Sequence, residues 1–376
     1  MREFVNNRDS YISQHSVDEK FAIPDGNWSY DSPNEFLRLF LRISKCKKLD
    51  MDNLRAFTGV FSGYNLYKQA RASGSHASIE LGEKTEQEVK ENIKNAGHAV
   101  IEEHLSLIRG LPDDFVFKPP IMFGECGYLL NGVLVNDNTN TYQERINLIY
   151  SSGIGDFIDK KKNIRALEIG GGYGALAYWF KTKYKNCDYH IIDLPESLLF
   201  SKLYLTLSLK RRNFSNLTGT NELGINFTPN YMAEEIRGPF DLIINTLSMS
   251  EMTEHQIKKY INLIKDQWLS ESGLFFEQNQ DNRRLGYVSA QDIIAGHFPN
   301  HISLKKQDYV FRNGDPNIWA LNEISLNPTV LPDPRFSEPK AVKEYGKYNI
   351  ARYQDSYFAL RKDLGPIAVD ELEFKD

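Results

Sequence analysis

Apolar residues recur along this chain in two different periods, and the change from one to the other divides it. Before about residue 115 the spacing is helical. Phe36, Leu37, Phe40, Leu41 and Ile43 form one stripe over Asn34 to Ser44, and Leu54, Phe57, Phe61 and Tyr64 form another over Asp52 to Ala72. Thr85 and Glu88 make a capping box, after which Val89, Ile93, Ala96 and Val100 predict a long helix running to about Arg109 and ended by Pro112. Between these helices Arg71 to Lys84, with Ser73, Gly74, Ser75 and His76, reads as a connecting loop in preference to a lid over an active site. Met1 to about Asp31 shows neither period. Punctuated by Pro24, Gly26 and then Pro33, it is expected to form an irregular arm.

From Phe115 the pattern shortens to that of strands. Tyr128 to Leu130 and Val133 to Val135 flank Asn131-Gly132, a pair that supplies the positive φ angles of a two-residue hairpin turn. Asn136, Asp137, Asn138 and Thr139 read as a polar loop, and Thr141 with Glu144 as the cap of the helix that follows. Beyond it, apolar runs alternate with amphipathic segments. Strands are expected at Leu167 to Ile169, His190 to Asp193, Ile225 to Phe227, Asp241 to Asn245 and Gly273 to Glu277. The helices between them include Pro195 to Leu209, a segment capped by Thr253 and Gln256 with Ile257, Tyr260, Ile261, Ile264 and Trp268 inward, and Ser289 to His297. Ser303 to Phe311 and Asn317 to Leu321 are the expected last, antiparallel pair. After Pro328 comes a charged, tyrosine-bearing tail with Pro332, Pro334 and Pro339.

The rest is organised around Asn163 to Glu196, NIRALEIGGGYGALAYWFKTKYKNCDYHIIDLPE. A strand meets Gly170, Gly171, Gly172 and Gly174, then a helix, a second strand and an acid, Asp193. This is the first half of a nucleotide-binding α/β sheet. Gly170, Gly172 and Ala175 fit the dinucleotide pattern G-x-G-x-x-G/A. Gly170, Gly172 and Gly174 after Glu168 fit E-x-G-x-G-x-G, the turn over which S-adenosylmethionine lies. Charge separates the two: a strand-end carboxylate repels a pyrophosphate and suits a cofactor that has no phosphate and carries an ammonium and a sulfonium. Asp193 can accept hydrogen bonds from ribose hydroxyls in either case.

LEIGGGYGALA, IIDLPESL, DLIINTLSMSEMTEHQI and GLFFEQNQD together resemble the successive motifs of the bacterial sugar O-methyltransferase family, a branch of the class I S-adenosylmethionine-dependent methyltransferases. FGECGYLLNGVLVNDNTNTYQERINLIY is similar to the segment leading into that family's core, and the likeness runs from about Ile121 to near Trp319. The resemblance implies an α/β fold: a Rossmann-like sheet, parallel with a final antiparallel strand, behind an N-terminal mainly helical extension. It also implies S-adenosylmethionine as cofactor and a sugar, as nucleotide sugar or surface glycan, as acceptor. The expected parts are a helical domain over 1–115, a hairpin and connecting helix over 116–150, the cofactor-binding core over 151–325 and a C-terminal extension over 326–376.

Composition narrows the remaining classes. A net charge of -5 without basic clusters beyond Lys160 to Lys162 and Lys210 to Arg212 excludes a nucleic-acid footprint. Cys46, Cys126 and Cys187 lie too far apart in sequence to suggest a disulfide framework or a metal cluster, and no run approaches a membrane span in length. MREFVNNRDSYISQ has no apolar signal region, so a cytoplasmic protein is expected. The oligomeric state, homo-oligomer included, stays open.

Ligands of such sheets lie outside the carboxyl ends of the strands, and the candidate residues cluster there. For the cofactor these are Glu168, Gly170, Gly172, Gly174, Asp193, Leu194 and Asn245, with Arg145 as a bidentate partner for a carboxylate. Methyl transfer to a sugar hydroxyl needs a base. Glu251, in the family-like SMSEM, is the first candidate, Glu277 the second and His255 the third. Asp137, Tyr142, Gln143, Gln278 and Asn279 are the candidate sugar contacts, since amides both donate to and accept from hydroxyls. Glu277, Asp281 and Asp292 have no metal-ligand spacing, so no metal is expected. Two other functions use the same sheet: an NAD-dependent sugar oxidoreductase, which the chain's lack of a Tyr-x-x-x-Lys pair after the fourth strand disfavours, and an inactive methyltransferase-like subunit of a glycan assembly.

Overall fold

Strands buried along nearly their whole length need cover on both faces, and several strands of this chain are of that kind. In the computed structural model, β3 (Ile164–Ile169), β5 (Ile225–Pro229) and β6 (Phe240–Thr246) are buried at nearly every position. The structure describes residues 2–23, 28–29, 100–120, 128–209, 224–305, 311, 313–329, 341–345, 348–353 and 356–361. The expected helices at Asn34 to Ser44 and Asp52 to Ala72, the loop at Arg71 to Lys84 and the capping box at Thr85 lie outside these residues, as do Cys46 and Cys126. Contacts divide the chain into two units, one of Met1–Lys47 with Ser152–Pro328 and one of Lys48–Ser151 with Thr329–Asp376.

The first unit holds a seven-stranded sheet. With β4 (Cys187–Asp193), β7 (Leu269–Gln278), β8 (Asn300–Ser303) and β9 (Pro316–Ala320), its order is β5-β4-β3-β6-β7-β9-β8. β3 pairs in parallel with both β4 and β6, and β9 runs antiparallel between β7 and β8. This is a mixed α/β, Rossmann-like sheet with the antiparallel strand that was expected. A dinucleotide sheet in the order 3-2-1-4-5-6 has no such insertion. The helices are α1 (Arg2–His15), α2 (Glu19–Ala22), α4 (Ile154–Asp159), α5 (Ala175–Lys183), α6 (Pro195–Ser208), α7 (Glu254–Leu263) and α8 (Ala290–Ala295), with α3 (Asp137–Ser151) belonging to the second unit.

One face of the sheet, through Leu167, Ile169, Ile192, Ile243 and Phe275, packs on Ile257, Tyr260 and Ile261 of α7 and on Ile264 and Trp268 beyond it. Thr253 and Gln256 close the predicted capping box at the start of α7.

The second unit contains the Asn-Gly hairpin as predicted: β1 (Tyr128–Leu130) pairs with β2 (Val133–Val135), with Asn131 and Gly132 both at positive φ. Its apolar side packs on Val100 and Ile101, and residues 100–108 are helical.

Three expectations are corrected, and the tail, on which no element was predicted, gains structure. The N-terminal arm is a pair of helices. Its inward positions include Arg8 and Ile12, so an apolar periodicity does not reveal it; Arg8 reaches the buried Glu196 at 2.6 Å and Phe21 of α2 enters the core. The polar loop at Asn136 to Thr139 is the first turn of α3 (Asp137–Ser151). Asn136, not Thr141, caps it by accepting from the Thr139 N–H at 2.9 Å, while Thr139 and Asn140 spend their polar atoms on Leu134 and Val100 carbonyls. The penultimate strand is Asn300–Ser303, ahead of the predicted Ser303 to Phe311, and 306–310 lie outside the described residues. The tail carries a three-stranded antiparallel meander, β10 (Ala341–Tyr345), β11 (Tyr348–Tyr353) and β12 (Ser356–Arg361).

The Arg8–Glu196 pair gives a test of the N-terminal helix. Removing one partner of a buried pair leaves an uncompensated charge, so Arg8→Ala is expected to lower the unfolding free energy by about 3 kcal/mol in urea titration, and Arg8→Met with Glu196→Leu to recover most of it. A loss under about 0.5 kcal/mol, the size of an ordinary surface change, would show that α1 is not anchored there.

Candidate functional site

The glycine turn lies at the carboxyl end of β3. There the chain first leaves toward β4 and β5 and later returns to β6 on the other side, the point at which ligands of open α/β sheets bind. Three of its N–H groups are used internally. Gly170 donates to the Ile192 carbonyl at 2.8 Å, Gly174 to the Gly171 carbonyl at 2.9 Å, and Gly172 to Asp193 Oδ2 at 3.1 Å.

Three of the glycines answer to packing, Gly171 among them with Ile191 Cγ2 2.7 Å from where its Cβ would stand, and two of these also need their backbone conformation. A Cβ on Gly170 would collide with the Ser248 side chain, and one on Gly174 would sit 2.9 Å from Leu205 Cδ1, where α5 crosses α6. Both also hold positive φ, a conformation that suits glycine and strains other residues.

The two acids of the motif occupy different places. Glu168 is buried beneath the turn, its Oε2 accepting from the Tyr189 hydroxyl at 2.9 Å and lying 3.2 Å from where a Gly171 Cβ would stand. Asp193 is only half-buried. Its Oδ1 accepts from the Leu194 N–H at 2.7 Å while Oδ2 takes the Gly172 N–H. Burial, helped by the nearby Glu168 and Glu196 carboxylates and opposed by the two backbone donors, pushes its carboxyl up to about 7. Of the two acids it is thus Asp193 that lies nearer the surface, with Glu168 beneath it.

Next to the turn, the ends of β3, β6 and β7 are stapled by amides. Asn245 Nδ2 donates to the Ile169 carbonyl at 2.9 Å and to Ser248 Oγ at 2.5 Å, and Asn245 Oδ1 accepts from Asn279 Nδ2 at 2.9 Å. Asn279 also donates to Glu277 Oε2 at 2.9 Å and accepts from the Ser250 N–H at 3.1 Å. Gln278 donates to the Gly314 carbonyl at 3.2 Å. Gln278 and Asn279 are 0% and 2% exposed, so these amides, expected at a sugar, fasten loops in the structure. Leu247, between β6 and the 3₁₀ turn Ser248–Glu251, is held at φ +66. A bulky residue there stores about 1–3 kcal/mol of strain, a feature that concentrates at functional sites.

The three candidate bases have distinct settings. Glu277 is 0% exposed; Oε1 accepts from Asn317 at 2.8 Å and from the Trp319 indole at 3.4 Å. Burial, against hydrogen bonds from Asn279, Asn317, Trp319 and Gln291, pushes its carboxyl up to about 7. His255 projects from the first turn of α7 and pairs with Asp18 at 2.6 Å, half exposed. Glu251 ends the 3₁₀ turn, partly buried, with Oε2 accepting from the Trp28 indole N–H at 2.6 Å. Burial raises its carboxyl and the indole opposes this.

Asp281 and Asp292 converge on Arg283, at 2.5 and 3.4 Å, rather than on Glu277. Among the described residues no group of three His, Cys, Asp or Glu stands ready for a metal, and no helix is long and apolar enough to cross a membrane.

Four sequence-predicted residues belong to α3 in the second unit. Gln143 is buried and clamps Phe117 N–H at 2.7 Å and the Phe115 carbonyl at 2.9 Å. Arg145 is 5% exposed, stacks over the Tyr142 ring at 4.8 Å and has a buried Nε without a hydrogen-bond partner. Asp137 opens the helix. Sequence reasoning missed Trp28, Ser248 and Tyr189. For Tyr189 the signal was its place one strand over from Glu168; no local pattern links Trp28 to the site.

No family model matches the chain, and no curated protein does. Among solved structures it is similar to PigF with SAH (17% identity, TM-score 0.31, covering 48% of this chain and 58% of that one). It is also similar to the N-methyltransferase NodS from Bradyrhizobium japonicum WM9 (16%, TM-score 0.34, 49% and 96%). A third is an O-methyltransferase family protein from Burkholderia thailandensis (12%, TM-score 0.33, 50% and 61%). The chain thus spans less than two thirds of the first and third of these. Likeness at this level leaves activity to be argued from the residues themselves.

Glu277 makes stability depend on pH with a definite sign. Its folded-state value of about 7 lies above the ordinary 4.5, so between those values the folded protein holds a proton that the unfolded chain has released. Stability is full below the lower value and falls as pH rises through the upper one. Urea titrations from pH 5 to 8 are expected to show such a decline, and Glu277→Gln to reduce it by on the order of 1–3 kcal/mol. An equal decline in the variant would contradict the assignment.

Proposed function

We propose that the chain is an S-adenosylmethionine-dependent O-methyltransferase that acts on a sugar hydroxyl. One observation carries the cofactor: the half-buried Asp193 carboxylate occupies the Gly172 N–H at the switch point of the sheet. A turn that binds a pyrophosphate aims its N–H groups at the ligand. Here those of Gly170, Gly172 and Gly174 are taken, one of them by an anion. What remains at the rim is a carboxylate that accepts from ribose hydroxyls and favours a cationic ligand without phosphate. The antiparallel β9 supports the same reading, and the NAD alternative gains no support from either feature.

When bound, the cofactor supplies a methyl group already activated by the sulfonium charge. The protein's part is positioning and proton removal. In this reading Asp193 receives the ribose, Gly170, Gly172 and Leu194 border the ligand, and the buried Glu168 supports the turn from below. The Asn245–Asn279 staple keeps the strand ends in register, so the acceptor meets a rigid edge. Glu251 takes the hydroxyl proton: it is reachable from solvent, follows the strained Leu247, and keeps Oε1 for a substrate. Glu277 has both oxygens engaged in a sealed setting, and His255 is turned to Asp18. The sugar class rests on the resemblance of the four core motifs. Arg145, a buried guanidinium, is an anion-binding candidate in its own unit.

Transfer of labelled methyl from S-adenosylmethionine to a panel of nucleotide sugars and glycans tests this reading. Turnover on a member of the panel is expected, and Glu251→Gln is expected to cut it about 100-fold while sparing cofactor affinity. A variant with the full rate would remove Glu251 from the chemistry. Gly172→Val is expected to abolish cofactor binding, because a branched side chain at φ +54 distorts the turn; unchanged affinity in a direct titration would contradict the placement.

A further inference from the structure

We infer that Trp28, delivered by the N-terminal segment, is the positioning residue of the Glu251 carboxylate: its indole N–H fixes Oε2 so that Oε1 is the oxygen left to face an acceptor. The inference rests on the reading of Glu251 as the base and deepens it by assigning a partner far away in sequence.

The contact is built from both sides. Trp28 Nε1 donates to Glu251 Oε2 at 2.6 Å, within the range of a charge-assisted hydrogen bond. The segment ahead of it is fastened to the elements around Glu251. Phe21 lies edge-on to Tyr260 of α7 at 4.8 Å and is buried in the main core. Asn230 Nδ2 donates to the Ala22 carbonyl at 2.9 Å, Gln256 Nε2 to the Ile23 carbonyl at 3.3 Å, and Asp18 pairs with His255. Four contacts thus hold residues 18–23 against α7 and the turn at Asn230, and α7 begins three residues after Glu251.

A neutral N–H donor suits this task. It orients a carboxylate without neutralising it, whereas a lysine or arginine in its place would hold the group ionised and weaken it as a base. Among the described residues, charged groups on the adjoining elements pair with one another: Asp18 with His255, Glu254 with Lys258, Arg283 with Asp281 and Asp292. Asn282 of that last loop donates to the Ser250 carbonyl at 3.1 Å, closing the other side of the turn. Among the described residues no cation pairs with it; the carboxyl of Glu251 is raised by burial, and the hydrogen bond from Trp28 opposes that rise.

A titration of the full-length chain reads this directly and needs no acceptor. The Glu251 carboxyl carbon, labelled with ¹³C and identified as the resonance missing from Glu251→Gln, is followed against pH in the wild type and in Trp28→Phe. Phenylalanine keeps an aromatic ring at the position and removes the donor. The variant is expected to bind the proton about tenfold more tightly. In the wild type, the Trp28 indole ¹⁵N–H resonance is expected to shift with the same midpoint, and to stop shifting in Glu251→Gln. An unchanged or lower midpoint in Trp28→Phe, or an indole that does not follow Glu251, would overturn the inference. If the indole does follow Glu251 and methyl transfer survives Glu251→Gln in full, the contact stands and the base reading alone falls.

Discussion

On the proposed reading, a single hydrogen bond, from the Gly172 N–H to Asp193 Oδ2, sets what this sheet can hold. Glycine turns at the first strand of such sheets normally owe their ligand preference to backbone N–H groups that point outward at the head of a helix. Here the chain spends that donor on its own carboxylate, and Gly170 and Gly174 spend theirs on carbonyls of the same region. Three donors of the turn are thereby satisfied within the chain, and an acid stands at its rim.

Rigidity at the strand ends has a different origin. Asn245, Asn279, Glu277 and Asn317 form one buried chain of side-chain hydrogen bonds linking β3, β6, β7 and β9. Buried amides of this kind are stabilising only while every member is satisfied, so the network specifies one arrangement of the strand ends. Against that fixed edge stands the 3₁₀ turn Ser248–Glu251, entered through the strained Leu247 and flanked by Trp28 and Asn282. Rigid strand ends and a turn anchored from both sides are what in-line transfer requires, since its rate depends on holding two atoms near contact.

Much of the fold was legible because it is written in apolar periodicity. The five parallel strands, the Asn131-Gly132 hairpin and the Thr253–Gln256 cap each follow from short local patterns. α1 was not, because its inward stripe contains Arg8, whose partner Glu196 lies 188 positions away. The start of α3 was misplaced because Asn136 and Thr141 both make good caps, and only the burial of Thr139 and Asn140 decides between them. In the site, the motif pointed to Glu168 and Asp193 alike, but which of two strand-end acids faces solvent depends on the alternation of side chains across β3 and on Tyr189 in the neighbouring strand. Gln278 and Asn279 looked like ligand contacts for a sound reason, since buried amides need partners; the partners proved to be protein. Trp28 could not be assigned at all, because nothing local connects it to Glu251.

Calorimetric titration of the full-length chain with S-adenosylhomocysteine and, separately, with NAD gives the decisive comparison. The account predicts a one-to-one complex with S-adenosylhomocysteine, at least tenfold weaker when Asp193 is changed to alanine, and no binding of NAD. Binding of NAD without binding of S-adenosylhomocysteine, or an Asp193→Ala variant that binds S-adenosylhomocysteine as tightly as the parent, would contradict it.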